Sequence, residues 1–174
     1  MGLIKMGQYY KPISLDKREY VYAHAYDSGL KLMEHSYVGN SFMRVVENLL
    51  AKEGRWYKTR LVWAGDYADD EKGFGTNLYD LVTKETRPTK KKHYRYIVNH
   101  SKRVYIDKRE IRESIDGWKI HPLSLLTVEG NGRGGGDFRG EDDRIGTWAR
   151  DIISMENSVK DYEDYAEVDG TFIE

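Results

Sequence analysis

Parts of this sequence recur at a constant offset of 85 residues, and this internal duplication constrains the fold more than any other feature. Residues 9–22, YYKPISLDKREYVY, align with residues 94–107, YRYIVNHSKRVYID. In each segment a short polar stretch separates two runs rich in Tyr, Val and Ile, which is typical of a β-hairpin. We therefore predict two related halves, residues 1–88 and 89–174, that form one compact unit.

A second pair of segments keeps the same offset. Residues 61–71, LVWAGDYADDE, align with residues 146–156, GTWARDIISME, so both halves carry a Trp-Ala-x-Asp motif. We predict that each motif lies on a third strand of its half. The motif forms either a pseudo-symmetric site, with each Asp beside an indole, or a packing unit, with each Trp in the core and each Asp capping a turn. We favour packing for these four residues: Trp63, Asp66, Trp148 and Asp151.

The connection before the third strand differs between the halves. In the first half, residues 40–54, NSFMRVVENLLAKEG, carry apolar residues at helical spacing after a capping Asn40 or Ser41. The glycine-rich stretch EGNGRGGGDFRGEDD, residues 129–143, occupies the equivalent place in the second half. The fold class is therefore predicted as α+β, in which each half is a small antiparallel sheet with a helix or a long glycine-rich loop. Two shorter helices are expected, one capped by Thr76 and one beginning at Asp107.

The glycine-rich stretch formally contains the pattern G-x-G-x-x-G at residues 130–135, after an apolar run, LSLLTV, that has the character of a strand. A dinucleotide site needs a helix that begins at such a loop, because the helix amides bind the pyrophosphate. Here further glycines and three acidic residues follow, and the acidic residues would repel phosphate. We interpret the stretch as a turned loop whose glycines permit positive φ.

The composition excludes several classes of site. Because the chain contains no cysteine, it has no disulfides, thiol nucleophiles or thiolate metal ligands. The five histidines show no compact ligand spacing, and the acidic groups at 69–71 and 141–143 are typical of exposed loops. We predict no catalytic residues, no metal and no cofactor. No apolar run approaches the length of a membrane span, so we expect a cytoplasmic protein that does not enter a membrane.

The charge is unevenly distributed although the net charge is only -1. Ten Lys and Arg residues lie between Lys84 and Arg109, whereas acidic residues dominate after Met155. A near-neutral chain is not typical of a dedicated nucleic-acid-binding protein. Six residues are nevertheless candidates for contact with a partner or a nucleic acid: Lys90, Lys91, Lys92, Arg95, Arg133 and Arg139.

Four segments carry a resemblance to a known family. They are MGQYYKPISLDKREYV at residues 6–21, GLKLMEHSYVGN at residues 29–40, WAGDYAD at residues 63–69 and IHPLSLLTVEGNGRGGGDFRG at residues 120–140. The chain resembles, from Met6 to about Met155, a family of small proteins, many of them encoded by phages and prophages. The resemblance implies no catalytic or binding residues. It implies a context in which such proteins commonly bind and block host machinery, including CRISPR effector nucleases.

Three functional hypotheses follow. The leading one is a phage-encoded accessory protein that binds and inhibits a host protein without catalysis, most plausibly a defence nuclease. The first alternative is a nucleic-acid-binding module that uses the basic segment 84–109 and the Gly/Arg loop. The second alternative is a metal-dependent hydrolase that uses Asp66, Asp151 or the acidic loops.

Overall fold

The computed structural model describes residues 7–130 and 137–174, and within them the protein is a mixed α+β fold, as the sequence predicts. One nine-stranded sheet is accompanied by four α-helices. The strands are β1 (Tyr10–Ser14), β2 (Glu19–Tyr20), β3 (Thr59–Gly65), β4 (Lys84–Glu85), β5 (Tyr96–Asn99), β6 (Val104–Asp107), β7 (Val128–Glu129), β8 (Ile152–Glu156) and β9 (Ala166–Glu167). The helices are α1 (Leu32–His35), α2 (Ser41–Leu49), α3 (Leu78–Leu81) and α4 (Pro122–Thr127).

The strands are arranged in the order β4-β2-β1-β3-β8-β5-β6-β9, and β7 pairs with β3 beside this path. β3 and β8 pair antiparallel at the centre of the sheet. Beside β3 lie β1 and β2, which form an antiparallel hairpin, and then the two-residue parallel strand β4. Beside β8 lie β5 and β6, which also form an antiparallel hairpin, and then the two-residue parallel strand β9. The strand order is therefore the same in both directions from the centre.

The two predicted hairpins form, and their turns share one geometry. The amide of Lys17 donates to the side chain of Ser14 at 3.1 Å, and the amide of Lys102 donates to the side chain of Asn99 at 2.9 Å. The fourth turn residue has a left-handed backbone in both cases, with φ of 53° at Arg18 and 58° at Arg103. A polar side chain at the end of the first strand thus fixes each turn.

Helix α2 covers the predicted helical segment. The side chain of Asn40 caps it by accepting from the amide of Met43 at 3.0 Å. Its apolar residues Phe42, Val45 and Val46 are fully buried against the sheet. Burial of this face stabilises the helix far more than intrinsic propensity does in a helix of only nine residues.

The third strand of the second half lies later in the chain than the sequence alignment predicts. Trp148 lies in a turn that precedes β8, whereas Trp63 lies within β3. Trp56, and not Trp63, is structurally equivalent to Trp148. The carbonyl of Trp56 accepts from the amide of Thr59 at 3.0 Å, and the carbonyl of Trp148 accepts from the amide of Asp151 at 3.0 Å. The local Trp-Ala-x-Asp match therefore pairs residues that occupy different positions in the sheet.

The strand expected at LSLLTV is also wrong, because residues 123–127 belong to α4 and only Val128 lies in a strand, β7. His121 caps this helix, since its ring Nδ1 accepts from the amide of Leu123 at 3.2 Å, and Pro122 occupies the first turn. A helix is thus present in the second half, and the glycine-rich stretch follows it instead of replacing it. The prediction of a turned glycine loop falls on residues 131–136, which lie outside the described residues.

Two smaller expectations also change. Because proline cannot donate a hydrogen bond to a neighbouring strand, Pro12 predicts an edge strand, but β1 lies between β2 and β3. The carbonyl of Pro12 accepts from the amide of Val21 at 3.4 Å, so the nitrogen of Pro12, which carries no hydrogen, faces the same side. Pairing between β1 and β2 has already ended at this point, and no strand hydrogen bond is lost there. Helix α3 is capped by Asn77 and not by Thr76.

Candidate protein-binding surface

The two motif tryptophans lie in the protein core. Trp63 is fully buried, and its indole Nε1–H donates to Nε2 of His35 at 3.0 Å. The ring of Phe42 packs edge-on against Trp63, with 6.0 Å between centroids. Trp148 is 5% exposed and belongs to the same apolar cluster. Neither indole presents a face to which a ligand has access.

The motif aspartates serve different turns at opposite ends of β3. Asp66 follows the strand and accepts from the amide of Tyr9 at 2.9 Å. The backbone carbonyl of Asp151 accepts from the amide of Leu61 near the start of β3, and its carboxylate accepts from Asn99 and Lys102. Five residues of strand span about 17 Å, so the two carboxylates do not share a site.

The basic candidate residues are only partly available. Arg95 forms two hydrogen bonds, of 3.1 and 2.8 Å, with the carboxylate of Asp107. Lys90, Lys91 and Lys92 are exposed in an extended segment before β5. Arg139 is exposed in a different part of the chain, and Arg133 lies outside the described residues. Of the five candidates that the structure describes, Arg95 is therefore neutralised, and Lys90, Lys91 and Lys92 are exposed together in one segment.

Carboxylates neutralise most of the basic segment 84–109. Seven of its cations are in ion pairs: Lys84 with Glu19, Arg87 with Glu85, Lys90 with Glu53, Arg95 with Asp107, Lys102 with Asp151, Arg103 with Asp164 and Lys108 with Glu47. The positive charge that is prominent in the sequence is thus largely compensated in the fold.

The acidic loops are engaged by arginines. Arg150 forms ion pairs with Glu71 and Glu129, and Arg144 forms an ion pair with Asp142 at 2.7 Å. Within residues 7–130 and 137–174 no group of three or more His, Asp or Glu residues is arranged to hold a metal ion. The described geometry therefore gives no support to the metal-dependent hydrolase.

A tight turn displays two large apolar side chains. The amide of Ser114 donates to the carbonyl of Trp118 at 2.8 Å, and the amide of Gly117 donates to the carbonyl of Ser114 at 2.9 Å. Gly117 has φ of 86°, a value that side-chain-bearing residues rarely adopt. The turn leaves Ile115 84% exposed and Trp118 63% exposed. Both side chains project from a hydrogen-bonded frame.

The exposed indole continues into a shallow groove. The ring of Trp118 packs edge-on against Tyr37, with 6.2 Å between centroids. The segments that carry these two rings are joined by a backbone hydrogen bond, in which the amide of Val38 donates to the carbonyl of Lys119 at 2.9 Å. Burial raises the pKa of Tyr37, and the negative charges of Asp116 and Glu174 raise it further. The groove is therefore aromatic and lies in a negative field.

The C-terminal segment connects the turn at residues 114–118 to the acidic residues 141–143. Thr171 contacts both sides, because its hydroxyl accepts from the amide of Arg112 at 3.0 Å and its carbonyl accepts from Nη2 of Arg144 at 2.6 Å. The same Arg144 also bonds the carbonyl of Asp169 at 2.8 Å. The acidic residues of 113–116, 141–143 and 169–174 thus lie along one surface, although these segments are 25 or more residues apart in sequence.

We call this region the acidic–aromatic surface. Its aromatic and apolar members are Tyr37, Ile115, Trp118 and Ile173, and its acidic members are Glu113, Asp116, Glu141, Asp143, Asp169 and Glu174. Three exposed cations, Arg112, Lys119 and Arg139, reduce but do not cancel its negative charge. The sequence reasoning missed this surface, because a lone Trp in a polar stretch is more often buried than displayed.

The chain gives no significant match to a protein-family model, a curated protein or a solved structure. In the part of the chain that the structure describes, no helix has the length and apolar character needed to cross a membrane.

Proposed function

We propose that this chain is a phage-encoded accessory protein that binds a host protein through the acidic–aromatic surface and inhibits it without catalysis. The proposed partner is a defence nuclease such as a CRISPR effector. The observation that carries the proposal is the display of Trp118 and Ile115 on a rigid turn. Contiguous exposed apolar side chains bordered by polar groups are typical of protein-interaction sites.

The physical chemistry of the surface favours a protein partner with a basic site. Trp and Tyr anchors contribute a large share of binding energy at interfaces, because they bury much area and lose little side-chain entropy. The acidic border attracts a positively charged surface and increases the rate of association. Nucleases carry such surfaces, because they must neutralise the phosphates of their substrates.

Two further observations support the context. The resemblance at residues 6–9 and 63–67 supports a phage origin. The identical strand order on both sides of β3 and β8 supports a duplicated ancestral unit, as do the matching turns at Arg18 and Arg103. We include this duplication in the proposal, since it explains how a small protein acquired two different connections on one repeated frame.

The test measures binding to purified defence nucleases, CRISPR effectors among them, together with protection of their DNA substrate from cleavage. Trp118→Ala is compared with Phe74→Ala, because both side chains are 63% exposed and Phe74 lies on another loop. Loss of an interface anchor costs about 2 kcal/mol or more, which corresponds to about a 30-fold loss of affinity. We expect Trp118→Ala to lose both the affinity for the nuclease and the protection of its DNA substrate, and we expect Phe74→Ala to keep both.

Two results would overturn the proposal. One is that the wild-type protein neither binds nor protects against any nuclease of the panel. The other is that Trp118→Ala and Phe74→Ala behave alike although both melt at the wild-type temperature. Raising the salt concentration from 50 to 500 mM should slow association with the nuclease, because the acidic border is exposed to solvent.

A nucleic-acid-binding module remains the second candidate, favoured by one observation. Lys90, Lys91 and Lys92 are consecutive and exposed, and within the described residues the one ion pair that they form joins Lys90 to Glu53 at 4.0 Å. Replacing the three lysines with alanine should abolish any DNA binding at low salt and reduce its salt dependence by about three phosphate contacts. If the wild-type protein does not bind single-stranded or duplex DNA at low salt, this candidate is wrong.

A further inference from the structure

A small apolar cluster lies on the face of the sheet opposite the main core. In β3, Val62 and Ala64 belong to this smaller cluster. Leu61 and Trp63, which alternate with them, belong to the main cluster. Because successive strand residues point to opposite faces, the sheet separates the two clusters. Residues 78–82, which include α3, pack over the smaller cluster, so a short segment of chain covers this face.

A groove of about 440 Å³ opens beside the smaller cluster. Its apolar wall consists of Leu15, Phe74, Leu78, Leu81 and Val82. Leu78 and Val82 also belong to the smaller cluster, so the groove continues that cluster to the protein surface. Pockets that bind small molecules have volumes of roughly 300 to 1,000 Å³ and are lined mainly by apolar side chains. We call this pocket the α3 groove, because α3 supplies two of its leucines.

A hydrogen-bonded loop displays an aromatic ring at the α3 groove. The amide of Glu71 donates to the carbonyl of Thr76 at 2.8 Å, and the amide of Phe74 donates to the carbonyl of Glu71 at 3.0 Å. Gly73 and Gly75, on either side of Phe74, have φ of 85° and 68°, values that other residues rarely adopt. The backbone thus presents Phe74 with most of its ring accessible, although solvation of a large apolar side chain is unfavourable.

Positive charge borders the α3 groove. Four cations and one carboxylate line it: Arg18, Arg60, Lys84, Arg150 and Glu71. Three of the cations are in ion pairs, Arg60 with Asp16 at 2.8 Å, Lys84 with Glu19 at 3.3 Å and Arg150 with Glu71. Arg18 is exposed and forms no ion pair within residues 7–130 and 137–174. One guanidinium at the groove is therefore left without a countercharge in the described chain.

The carboxylates of the same hairpin are already engaged. Oδ1 of Asp16 accepts from Nε and Nη2 of Arg60 at 3.0 and 2.8 Å, and these contacts hold the pKa of Asp16 below its usual value. Oδ2 of Asp16 accepts from the amide of Arg60 at 2.8 Å. Glu19 is buried and pairs with Arg55 at 2.6 Å. The guanidinium of Arg18 is thus free to bind an anion from outside the protein.

We propose that the α3 groove binds an amphipathic monocarboxylate, such as a medium-chain fatty acid. The carboxylate lies on the guanidinium of Arg18, and the apolar body lies against the wall that includes Leu78 and Val82. A guanidinium and a carboxylate form two parallel charged hydrogen bonds, which makes this pairing strong and directional. One uncompensated cation matches a single negative charge, and burial of the apolar body supplies the remaining affinity.

This site is independent of the acidic–aromatic surface, because the two share no residue. Trp118→Ala should therefore bind the carboxylate as the wild-type protein does, although we expect it to lose the nuclease. A failure of one proposal leaves the other intact.

The test is calorimetric titration of the purified full chain with octanoate below its micelle concentration. 1-Octanol and octyltrimethylammonium serve as controls with the same apolar chain and a neutral or positive head group. We expect saturable binding of one octanoate per chain. Hydrogen bonds to a charged group make the neutral alcohol at least about tenfold weaker, and the trimethylammonium compound should not bind.

Matched variants locate the head group and the apolar body. Arg18→Gln should weaken octanoate binding at least about tenfold, because it removes the charge but keeps a polar side chain. Arg103→Gln is the control, since Arg103 has the equivalent place in the second hairpin, with φ of 58° against 53° at Arg18, and lies outside the groove. Thr83→Trp adds bulk at an exposed position of the groove and should abolish binding. Thermal denaturation checks that each variant is folded.

Four results would overturn the proposal. Octanoate shows no saturable binding to the wild-type protein, or 1-octanol binds as tightly as octanoate. Arg18→Gln and Arg103→Gln bind octanoate equally well. Sedimentation detects a dimer of the wild-type protein that Thr83→Trp dissociates, in which case a second copy of the chain, and not a small carboxylate, occupies the α3 groove.

Discussion

The buried imidazole of His35 accepts a hydrogen bond from the indole of Trp63, with 3.0 Å between Nε2 and Nε1. Because an indole nitrogen only donates, Nε2 of His35 carries no proton, and the proton resides on Nδ1. Nδ1 then donates to the carbonyl of Gly29 at 2.8 Å. A fully buried histidine is thus fixed as one neutral tautomer between two partners.

This arrangement predicts a loss of stability in mild acid. Burial lowers the pKa of His35 from 6.5 to about 4, so the unfolded chain binds a proton more readily than the folded chain between these values. The contribution is complete above pH 6.5 and is lost as the pH falls toward 4. At pH 5 the stability lost amounts to about 2 kcal/mol.

Urea denaturation between pH 7 and pH 4 measures this effect. His35→Gln should be less stable at pH 7 but should lose less stability on acidification than the wild-type protein. The pKa of His100 is also lowered to about 4, by burial and by the charge of Lys58, so part of the pH dependence should remain. The exposed His24, replaced with Gln, should keep the full wild-type dependence.

A buried ionic cluster joins α2 to the second half of the chain. Glu47 contacts Nζ of Lys108 at 2.7 Å and Nε2 of His121 at 2.6 Å, and it is 2% exposed. Glu47→Gln would leave the lysine without a countercharge, and such a change costs about 3 to 5 kcal/mol. Chemical denaturation should show this loss, whereas Glu53→Gln at an exposed position should change stability by less than about 0.5 kcal/mol. Equal effects of the two variants would refute the argument.

The close approach of Gln8 to Gly65 predicts an energetic coupling. Gly65→Ala places a methyl group against Oε1 of Gln8 and should cost about 1 to 3 kcal/mol. In the double variant Gln8→Ala/Gly65→Ala the collision with Gln8 is removed, while the contact of 2.9 Å with the ring of Tyr10 remains, so the combined loss should be smaller than the sum of the single losses. A double-mutant cycle of unfolding free energies measures this difference. Additive losses would mean that Tyr10, and not Gln8, determines the cost of the methyl group.

The left-handed turn residues predict a gain of stability. Arg18 has φ of 53°, which is unfavourable for a residue with a Cβ, so Arg18→Gly should stabilise the protein by about 0.5 to 1 kcal/mol. Arg103 has a similar φ but also forms an ion pair with Asp164. Arg103→Gly should therefore gain less than Arg18→Gly in thermal denaturation. If Arg18→Gly is less stable than the wild-type protein, the side chain of Arg18 makes a stabilising contact.

The parts of the fold that the sequence predicts are those specified by local signals. Both hairpins have a polar turn between apolar strands, and α2 has a capping Asn40 followed by apolar residues at helical spacing. The α4 segment has only six residues, all of them buried, so its periodicity cannot distinguish a helix from a strand. The two-residue strands β4 and β9 carry no local pattern at all.

The candidate sites depend on long-range packing and were mostly beyond prediction. The exposure of Trp118 depends on its contact with Tyr37, which is distant in sequence, and on the backbone contact of Lys119 beside the turn. The close approach of Gln8 to Gly65 and Gly130 joins three segments that are far apart in sequence, and no single segment indicates this. The packing role favoured for Trp63 agrees with its buried position. The pairing of Trp63 with Trp148 was wrong, because three matching residues within one short motif do not define a structural register.

The ends of the sheet limit how this protein can associate. β4 and β9 each present only two residues of parallel pairing at the outer edges, so another chain finds almost no backbone ladder to extend. Short edge strands of this kind discourage polymerisation through the backbone. Recognition of a partner by strand addition is discouraged for the same reason. Any selectivity in binding must then come from side-chain shape and charge, and variation at a few surface positions is enough to redirect it without altering the scaffold.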